Sequence, residues 1–145
     1  MATPRAIDEA QVRQRIGKLA EAIRAMDLEA VMSNYTPEIV SFDIEPPLHV
    51  QVAGKRKNWN EVFAMYESPL SYEIRDLSLT VGDDVAFGHS FNRLSGKLKG
   101  GNSAGFWLRW TVCLRKFDDN WLIAHDHVSV PLDVKSGSAL LDLEP

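Results

Sequence analysis

The chain has 145 residues, of which 45% are hydrophobic and 25% charged, a length and composition typical of one soluble globular domain with a single core. The formal net charge of -4 argues against nucleic acid as a partner, and no apolar run approaches the ~20 residues of a membrane span. A single cysteine, Cys113, excludes an internal disulfide, and the first residues lack the apolar core of an export signal, so we expect a cytoplasmic protein.

Three amphipathic helices are predicted before the main run of strands. The first follows a cap at Asp8, after which apolar residues recur at steps of four and three up to Met26. Asp27 is a candidate N-cap for a second, short helix, which Pro37 ends. The third follows Asn58 and has apolar residues at i, i+3, i+4 and i+7, namely Trp59, Val62, Phe63 and Tyr66.

Between the second and third helices the sequence predicts one short strand and an irregular loop. The strand covers residues 39–44, which are rich in β-branched and aromatic side chains, and two prolines stop it. Residues 48–57 carry the only basic run of the chain, which consists of Lys55, Arg56 and Lys57. Such a short run is typical of a solvated loop.

The second half of the chain is predicted to form four strands joined by short turns. They cover residues 70–81, 85–98, 104–117 and 121–130. The apolar parity changes near Asp76, which indicates a bulge in the first of them. Consecutive strands with short turns indicate an antiparallel meander, and helices followed by such a sheet indicate an α+β fold with a cavity between the two layers.

Two segments resemble the SnoaL-like and ketosteroid isomerase-like proteins of the nuclear transport factor 2-like superfamily. Residues 17–43 have the group's opening pattern of helix, Asp-apolar-Glu-Ala, Tyr and strand: GKLAEAIRAMDLEAVMSNYTPEIVSFD. Residues 107–133 have its closing-strand pattern, which is also that of the kinase association domain: WLRWTVCLRKFDDNWLIAHDHVSVPLD. The resemblance implies a cystatin-like α+β fold, in which three N-terminal helices close a cone-shaped, curved antiparallel sheet. It says little about activity, because the superfamily contains isomerases, dehydratases, cyclases, hydrolases and binding modules.

The domain is predicted to occupy the whole chain, residues 1–145, with a core over about residues 8–133 and flexible ends. The tail after Asp133 is expected to be flexible or to pack on a partner.

Asp43 is the first candidate catalytic residue. It follows Tyr35 by eight residues, as the general base of the ketosteroid isomerases follows a similar Tyr, and a carboxylate in an apolar cone has a raised pKa suited to proton transfer. The alternative is a solvated strand-end carboxylate, because the apolar residues of this strand have the opposite parity. Steroid isomerisation itself is not expected, since Leu19 and residues 112–114 occupy the positions of that enzyme's oxyanion-hole Tyr and Asp.

Three histidines are candidates for the same cone. His89 shares an apolar strand face with Phe91, and it is either a core histidine or a proton relay. His125 and His127 share a face with Trp121 under strict alternation, and in the related proteins that face looks into the cone. The residue types are similar to those of the scytalone dehydratase branch. A zinc site would need a convincing third ligand, so neither a metal nor a cofactor is expected.

Aromatic side chains form most of the predicted ligand-binding wall. Its candidates are Trp59, Phe63, Tyr66, Phe91, Trp110 and His125. Arg109 alternates with Trp110 and is predicted on the outer face, in a dimer contact or a salt bridge; the alternative is an anion-binding role in the pocket, which requires a bulge that flips the register. Cys113 has no neighbouring histidine in the sequence and is interpreted as an inert small residue.

Two classes of function are compatible with these residues. In the first, Asp43, His89 and His127 perform acid–base catalysis on a small hydrophobic molecule, as in dehydration, isomerisation or cyclisation. In the second, the chain is a non-catalytic ligand-binding or dimerisation module like the kinase association domain. Catalysis requires Asp43 and a histidine within reach of one substrate atom. In either case we expect a homodimer through the outer face of the sheet, which carries Trp107, Leu122, Ala124 and Val128.

Overall fold

In the computed structural model, which describes residues 1–145, three helices pack against one side of a five-stranded sheet. The helices are α1 (Pro4–Arg24), α2 (Leu28–Met32) and α3 (Val52–Met65). The strands are β1 (Tyr35–Phe42), β2 (Ser71–Val81), β3 (Val85–Lys97), β4 (Ser103–Phe117) and β5 (Asn120–Ser129). A small hairpin follows, formed by β6 (Leu132–Asp133) and β7 (Ser138–Ala139). This arrangement confirms the predicted α+β class with three helices and an antiparallel meander.

The strand order in the sheet is β1-β5-β4-β3-β2, with β2 to β5 antiparallel and β1 parallel to β5. The apolar stripe of α1 is fully buried in the main core of the domain, where the helix packs on β2 and β5. Since β1 joins the sheet beside β5, the end of β1 and the middle of β5 lie together under α3. No helix of the protein is long and apolar enough to cross a lipid bilayer.

Two of the three helices begin earlier than predicted. Thr3 caps α1, because its Oγ1 accepts a hydrogen bond of 3.1 Å from the N–H of Ala6, so the predicted cap at Asp8 is wrong. The cap of α2 at Asp27 is confirmed by its hydrogen bond from the N–H of Ala30. α3 begins at Val52 after Gln51, whose side chain makes no capping bond, and the predicted loop over residues 48–57 is therefore wrong from Val52 onwards.

The second helix begins as predicted but ends earlier than predicted. It ends at Met32, and Tyr35 and Pro37 belong to β1 instead. Proline is tolerated there because β1 is an edge strand and its free side needs no amide donor. Along β1, Ile39 and Ser41 face the core, so the apolar residues of opposite parity face outwards.

Two bulges decide which side chains enter the cone. The predicted bulge in β2 is confirmed, because Asp76 has φ 58° and the pairing with β3 shifts there. A second bulge, which was not predicted, lies in β5: Cys113 pairs with His125 but Leu114 pairs with Ile123, which leaves Ala124 as the extra residue. An extra residue exchanges the two faces of the strand beyond it.

The face assignment of β3 was wrong. Apart from Leu94, its inward residues are small or polar, and its other large apolar residues point away from the helices. At Gly88 a Cβ would lie 2.6 Å from Cδ2 of Leu79 on β2, so the side chain of Leu79 occupies the space that a larger residue would need. The surface that faces away from the helices is called the outer face below, and on β3 it consists of Val85, Phe87, His89, Phe91, Arg93, Ser95 and Lys97.

Candidate functional site

A charged cluster lies inside the cone, where an apolar pocket was predicted. α3 carries Lys55 over the end of β1 and the middle of β5, and only 3% of this residue is exposed. Its Nζ lies 2.8 Å from Oδ1 of Asp43 and 3.3 Å from both carboxylate oxygens of Asp126. It also donates a 2.9 Å hydrogen bond to Oγ of Ser41. With Asn58, these four residues form what we call the Lys55 cluster.

Each carboxylate of the Lys55 cluster has several hydrogen-bond donors. Asn58 donates to Oδ2 of Asp43 at 2.6 Å, and Nε1 of Trp110 donates to Oδ2 of Asp126 at 3.2 Å. Oγ of Ser41 is within hydrogen-bonding distance of both carboxylates, but a hydroxyl has one proton and donates to one of them at a time. The cluster therefore connects α3 to β1 and β5 through buried polar contacts.

Ionisation of the Lys55 cluster follows from these contacts. Burial raises the pKa of Asp43, but the ammonium of Lys55 and the hydrogen bonds from Lys55, Asn58 and Ser41 outweigh burial and hold that pKa below its usual value. For Lys55, burial lowers the pKa, but Asp126, Tyr35 and Asp43 outweigh it and raise the pKa. The prediction of a raised pKa at Asp43 is wrong, and at neutral pH the cluster holds an ammonium beside the ionised Asp43.

Two buried tyrosines lie near this cluster. Oη of Tyr35 accepts a 3.0 Å hydrogen bond from Nε1 of Trp59, and Oη of Tyr72 accepts a 2.7 Å bond from Nδ2 of Asn92. Burial raises the pKa of Tyr72 to about 12, and it also raises the pKa of Tyr35. Both phenols are therefore neutral, and neither hydroxyl donates a hydrogen bond to another protein group.

Five of the predicted site residues do lie on the inner side of the domain. Asp43 belongs to the Lys55 cluster, and Trp110, which is 3% exposed, bonds to it. Trp59 packs beside Phe63 with ring centroids 5.7 Å apart, and Tyr66 is buried where α3 ends. A ligand-binding role for these residues stays a prediction.

The other predicted site residues lie on the outer face, and their assignment to the cone is wrong. Beyond the Ala124 bulge, Asp126 points inwards in place of His125 and His127. Nδ1 of His125 lies 2.6 Å from the carbonyl oxygen of Val40, and the ring of Phe42 is edge-on to both histidines. His89 and Phe91 are on the outer face of β3.

Asp43 and His127 thus lie on opposite faces of the sheet. All four histidines of the chain are outside the cone, so the predicted pairing of Asp43 with a histidine for acid–base catalysis is wrong. For His125 and His127 the physical cause is the bulge at Ala124, which reverses the parity of every later residue of β5, whereas His89 lies on the outward side of β3.

Sequence reasoning missed Lys55 and Asp126, the two most buried charged residues of the site. A signal for Lys55 was present, because it precedes Trp59, Val62 and Tyr66 at helical spacing and extends their stripe by one turn. Asp126 carried no such signal. The side chain of Asp126 points inwards because of the bulge at Ala124, and no pattern in the local sequence predicts that bulge.

The outer face carries an exposed apolar groove of about 590 Å³ across β1, β5, β4 and β3. Its lining includes Val40, Val85, Phe87, Cys113, Phe117 and His125. Cys113 pairs in register with His125, although the two are distant in sequence, and burial raises the pKa of its thiol. The thiol therefore stays protonated and unreactive at neutral pH.

Of the four apolar residues predicted on the dimer face, three point outwards. Leu122 and Ala124 point outwards, and Trp107 does too, with the guanidinium of Arg75 stacked 4.4 Å from its ring centroid. The assignment of Val128 is wrong, because the β5 bulge turns its side chain against the core. Arg109 is exposed on this face, as predicted, and its Nε donates a 3.1 Å hydrogen bond to Oγ of Ser129.

Three solved structures are similar to the chain over most of its length. A nuclear transport factor 2-like protein of unknown function from Pseudomonas putida KT2440 is 28% identical, with 94% of this chain and 96% of that chain covered and a TM-score of 0.84. A candidate calcium/calmodulin-dependent protein kinase II association domain from Xanthomonas campestris is 18% identical (92% and 95% covered, TM-score 0.75). A candidate dehydratase of the same superfamily from Streptomyces avermitilis is 17% identical (84% and 95% covered, TM-score 0.73).

No curated protein matches the chain. The model of the SnoaL-like domain, in contrast, matches residues 12–133, which include all three helices and all five strands of the main sheet, at least in part. These are also the residues that build the Lys55 cluster and the outer face. The chain therefore belongs to the SnoaL-like domain family, within the nuclear transport factor 2-like superfamily.

Proposed function

We propose that this chain is a non-catalytic SnoaL-like module that forms a homodimer through the outer face of its sheet. The observation that carries the proposal is the exposure of large apolar side chains there: Phe42 is 40% exposed, Val85 and Phe87 are each 53% exposed, and Phe91 is 39% exposed. Val85 and Phe87 line the groove of about 590 Å³. A contiguous apolar surface of this kind is typical of a protein–protein interface. The association domain of Xanthomonas campestris is similar in fold.

The interior of the cone supports a structural role for its charged residues. A general base needs a free lone pair and a pKa near the working pH, whereas Asp43 accepts hydrogen bonds from Lys55, Asn58 and Ser41 and has a lowered pKa. Both carboxylates are ion-paired to one ammonium. Such a cluster holds α3 against β1 and β5, and no histidine is available to share a proton with it.

Light scattering of the full chain at micromolar concentration tests the dimer. We expect twice the mass of one chain, and a Phe87→Glu variant should be monomeric because it brings charge into the apolar groove. Ile7→Glu is the matched control, since Ile7 is 48% exposed on α1, away from the sheet. A monomeric wild-type chain would refute the proposal, and so would a Phe87→Glu variant that is folded and still dimeric.

A second candidate function is the binding of a small hydrophobic molecule inside the cone. It is favoured by one observation, the two neutral phenols of Tyr35 and Tyr72, each with a hydroxyl proton that no protein group accepts. Polar groups that converge within an apolar wall are typical of ligand sites. The candidate dehydratase of Streptomyces avermitilis is similar in fold.

The probe for this second function is 2-naphthol, a flat apolar phenol that can accept a hydrogen bond. Binding should quench the fluorescence of Trp59 and Trp110, and Tyr72→Phe should weaken it by removing one donor. The control is Ser33→Ala, which removes an exposed hydroxyl after α2, away from the predicted ligand-binding residues. No saturable quenching up to millimolar naphthol would exclude this class of ligand, as would equal affinities of the two variants and the wild type.

A further inference from the structure

The segment after β7 belongs to no helix or strand, and two of its leucines are about half exposed. The hairpin β6–β7 brings the chain back to the end of β5, because the N–H of Leu140 donates a 2.9 Å hydrogen bond to the carbonyl of Pro131. Residues 140–145 then continue without a strand partner, and Leu141 and Leu143 are 49% and 47% exposed. We call residues 140–145 the acidic tail.

The acidic tail has a two-residue period. Leu141 and Leu143 alternate with Asp142 and Glu144, so an extended conformation places the leucines on one side and the carboxylates on the other. Neither carboxylate takes part in an ion pair of the chain. This pattern fits a surface that is cationic and apolar at once.

The outer face offers such a surface at one end of β3 and β4. Arg93 is half-buried and has no carboxylate partner, and it lines a second groove, of about 420 Å³, together with Lys97. The rest of that groove consists of small residues: Ser95, Gly96, Ser103, Ala104 and Gly105. Small side chains leave room for an extended backbone to approach closely. We call this the Arg93 groove.

Two carboxylates lie beside the Arg93 groove, but both already have a cation: Glu73, directly across from Arg93 on β2, pairs with Arg75, and Glu67 pairs with Lys97. Arg109 has no acidic partner either, and it follows Trp107 on the same face of β4. Arg93 and Trp107 are direct partners in the pairing of β3 with β4. In a two-fold dimer through the outer face, arginines of both copies lie at one interface, so they repel unless carboxylates lie between them.

We infer that the acidic tail of each copy docks in the Arg93 groove of the other copy. This inference rests on the proposed dimer and names the contact that completes it. Asp142 and Glu144 meet the guanidinium groups of Arg93 and Arg109, and the two leucines cover apolar surface beside Trp107. Charge complementarity selects the occupant, because the tail is acidic while neither arginine has a carboxylate partner within its own chain.

Disulfide trapping between two differently tagged full-length chains tests this contact. Both carry Cys113→Ser, which removes the only native thiol; one also carries Ser95→Cys, in the groove, and the other Leu143→Cys, in the tail. On oxidation we expect a covalent dimer that contains both tags. Val134→Cys in place of Leu143→Cys is the control, because it is 87% exposed in the β6–β7 turn and should form little of this dimer.

The possible results separate the two proposals. A chain of dimeric mass that gives no mixed disulfide refutes tail docking and leaves the dimer intact, whereas a monomeric chain refutes the dimer itself. A chain with both Ser95→Cys and Leu143→Cys should link between copies. A link within one chain would overturn the inference, because the tail would then cover its own groove.

Charge reversal gives an independent test. Asp142→Lys with Glu144→Lys should raise the dissociation constant of the dimer at least about tenfold, because like charges at an interface repel strongly. Combining them with Arg93→Glu and Arg109→Glu should restore much of the affinity. Glu21→Lys on α1 is the control and should change little. If the double lysine variant dimerises as tightly as the wild type, the proposed ion pairs do not form.

Discussion

Removing the ammonium of Lys55 is the sharpest perturbation that the structure offers. In Lys55→Met, the side chain keeps a similar length and apolar stem, but Asp43 and Asp126 lose the cation that lies 2.8 and 3.3 Å away. Their side chains are only 12% and 3% exposed, so water cannot replace it. Breaking a buried ion pair by deleting one partner typically lowers the free energy of unfolding by about 3–5 kcal/mol.

That loss is large compared with the stability of a domain, which is about 5–15 kcal/mol. With a urea dependence of about 2 kcal/mol/M, a loss of about 4 kcal/mol lowers the unfolding midpoint by about 2 M. The assay is urea unfolding followed by circular dichroism. Lys57→Met is the matched control, because Lys57 lies on the same helix but its side chain is 75% exposed, and it should change the free energy by less than about 0.5 kcal/mol.

A further variant separates loss of charge from loss of packing. In the triple variant Lys55→Met, Asp43→Asn, Asp126→Asn, no buried charge is left without a partner, so part of the lost free energy should return. The reasoning would be refuted if Lys55→Met unfolded within about 1 kcal/mol of the wild type, since that value is far below the cost of unpaired buried carboxylates. The cluster would then not be what holds α3 to the sheet.

Three more predictions follow from local geometry. The pKa of Asp43 is lower in the folded than in the unfolded chain. Its contribution to stability is therefore complete above the unfolded pKa of about 3.9 and is lost as the pH falls through the folded pKa. Urea unfolding from pH 7 to 3 should show this loss of stability, and Asp43→Asn should flatten the pH dependence. Thr3→Ala removes the cap bond to Ala6 and should lower the free energy of unfolding by about 1 kcal/mol, whereas an unchanged value would mean that the cap is not formed. Gly105→Val should destabilise the domain by about 1–3 kcal/mol in thermal unfolding, because its Cβ would lie 2.4 Å from Cβ of Ser95; a neutral effect would contradict the tight pairing of β3 with β4.

Local patterns in the sequence were sufficient to predict the fold class and the strands of the meander. The four predicted strands of the meander end within one residue of β2, β3, β4 and β5, because alternation and turn residues are short-range properties of the chain. The bulge at Asp76 was predictable for the same reason, since the apolar residues on either side of it change parity. The motifs of residues 17–43 and 107–133 indicated the family, to which the SnoaL-like match over residues 12–133 assigns the chain.

The candidate site depended on tertiary structure at two points. Strict alternation put His125 and His127 in the cone, but pairing of β5 with β4 inserts Ala124 and puts Asp126 there instead. The start of α3 is not marked by a side-chain cap, so Lys55 was assigned to a solvated loop although the helix buries it. A sequence pattern gives the direction of a side chain only while the register is unbroken, and register is decided by the neighbouring strand.

On the outer face, too, the sequence predicted the apolar residues but tertiary packing decided where they point. Sequence alone determined that β3 has an apolar face with Val85, Phe87 and Phe91, but apolarity does not say whether a face meets the protein's own core or another molecule. The observed register decided it: Ala86, Gly88 and Ser90 face the core, and at Gly88 the side chain of Leu79 leaves no room for a larger residue. Three-dimensional contact therefore turned a predicted pocket wall into an exposed apolar surface.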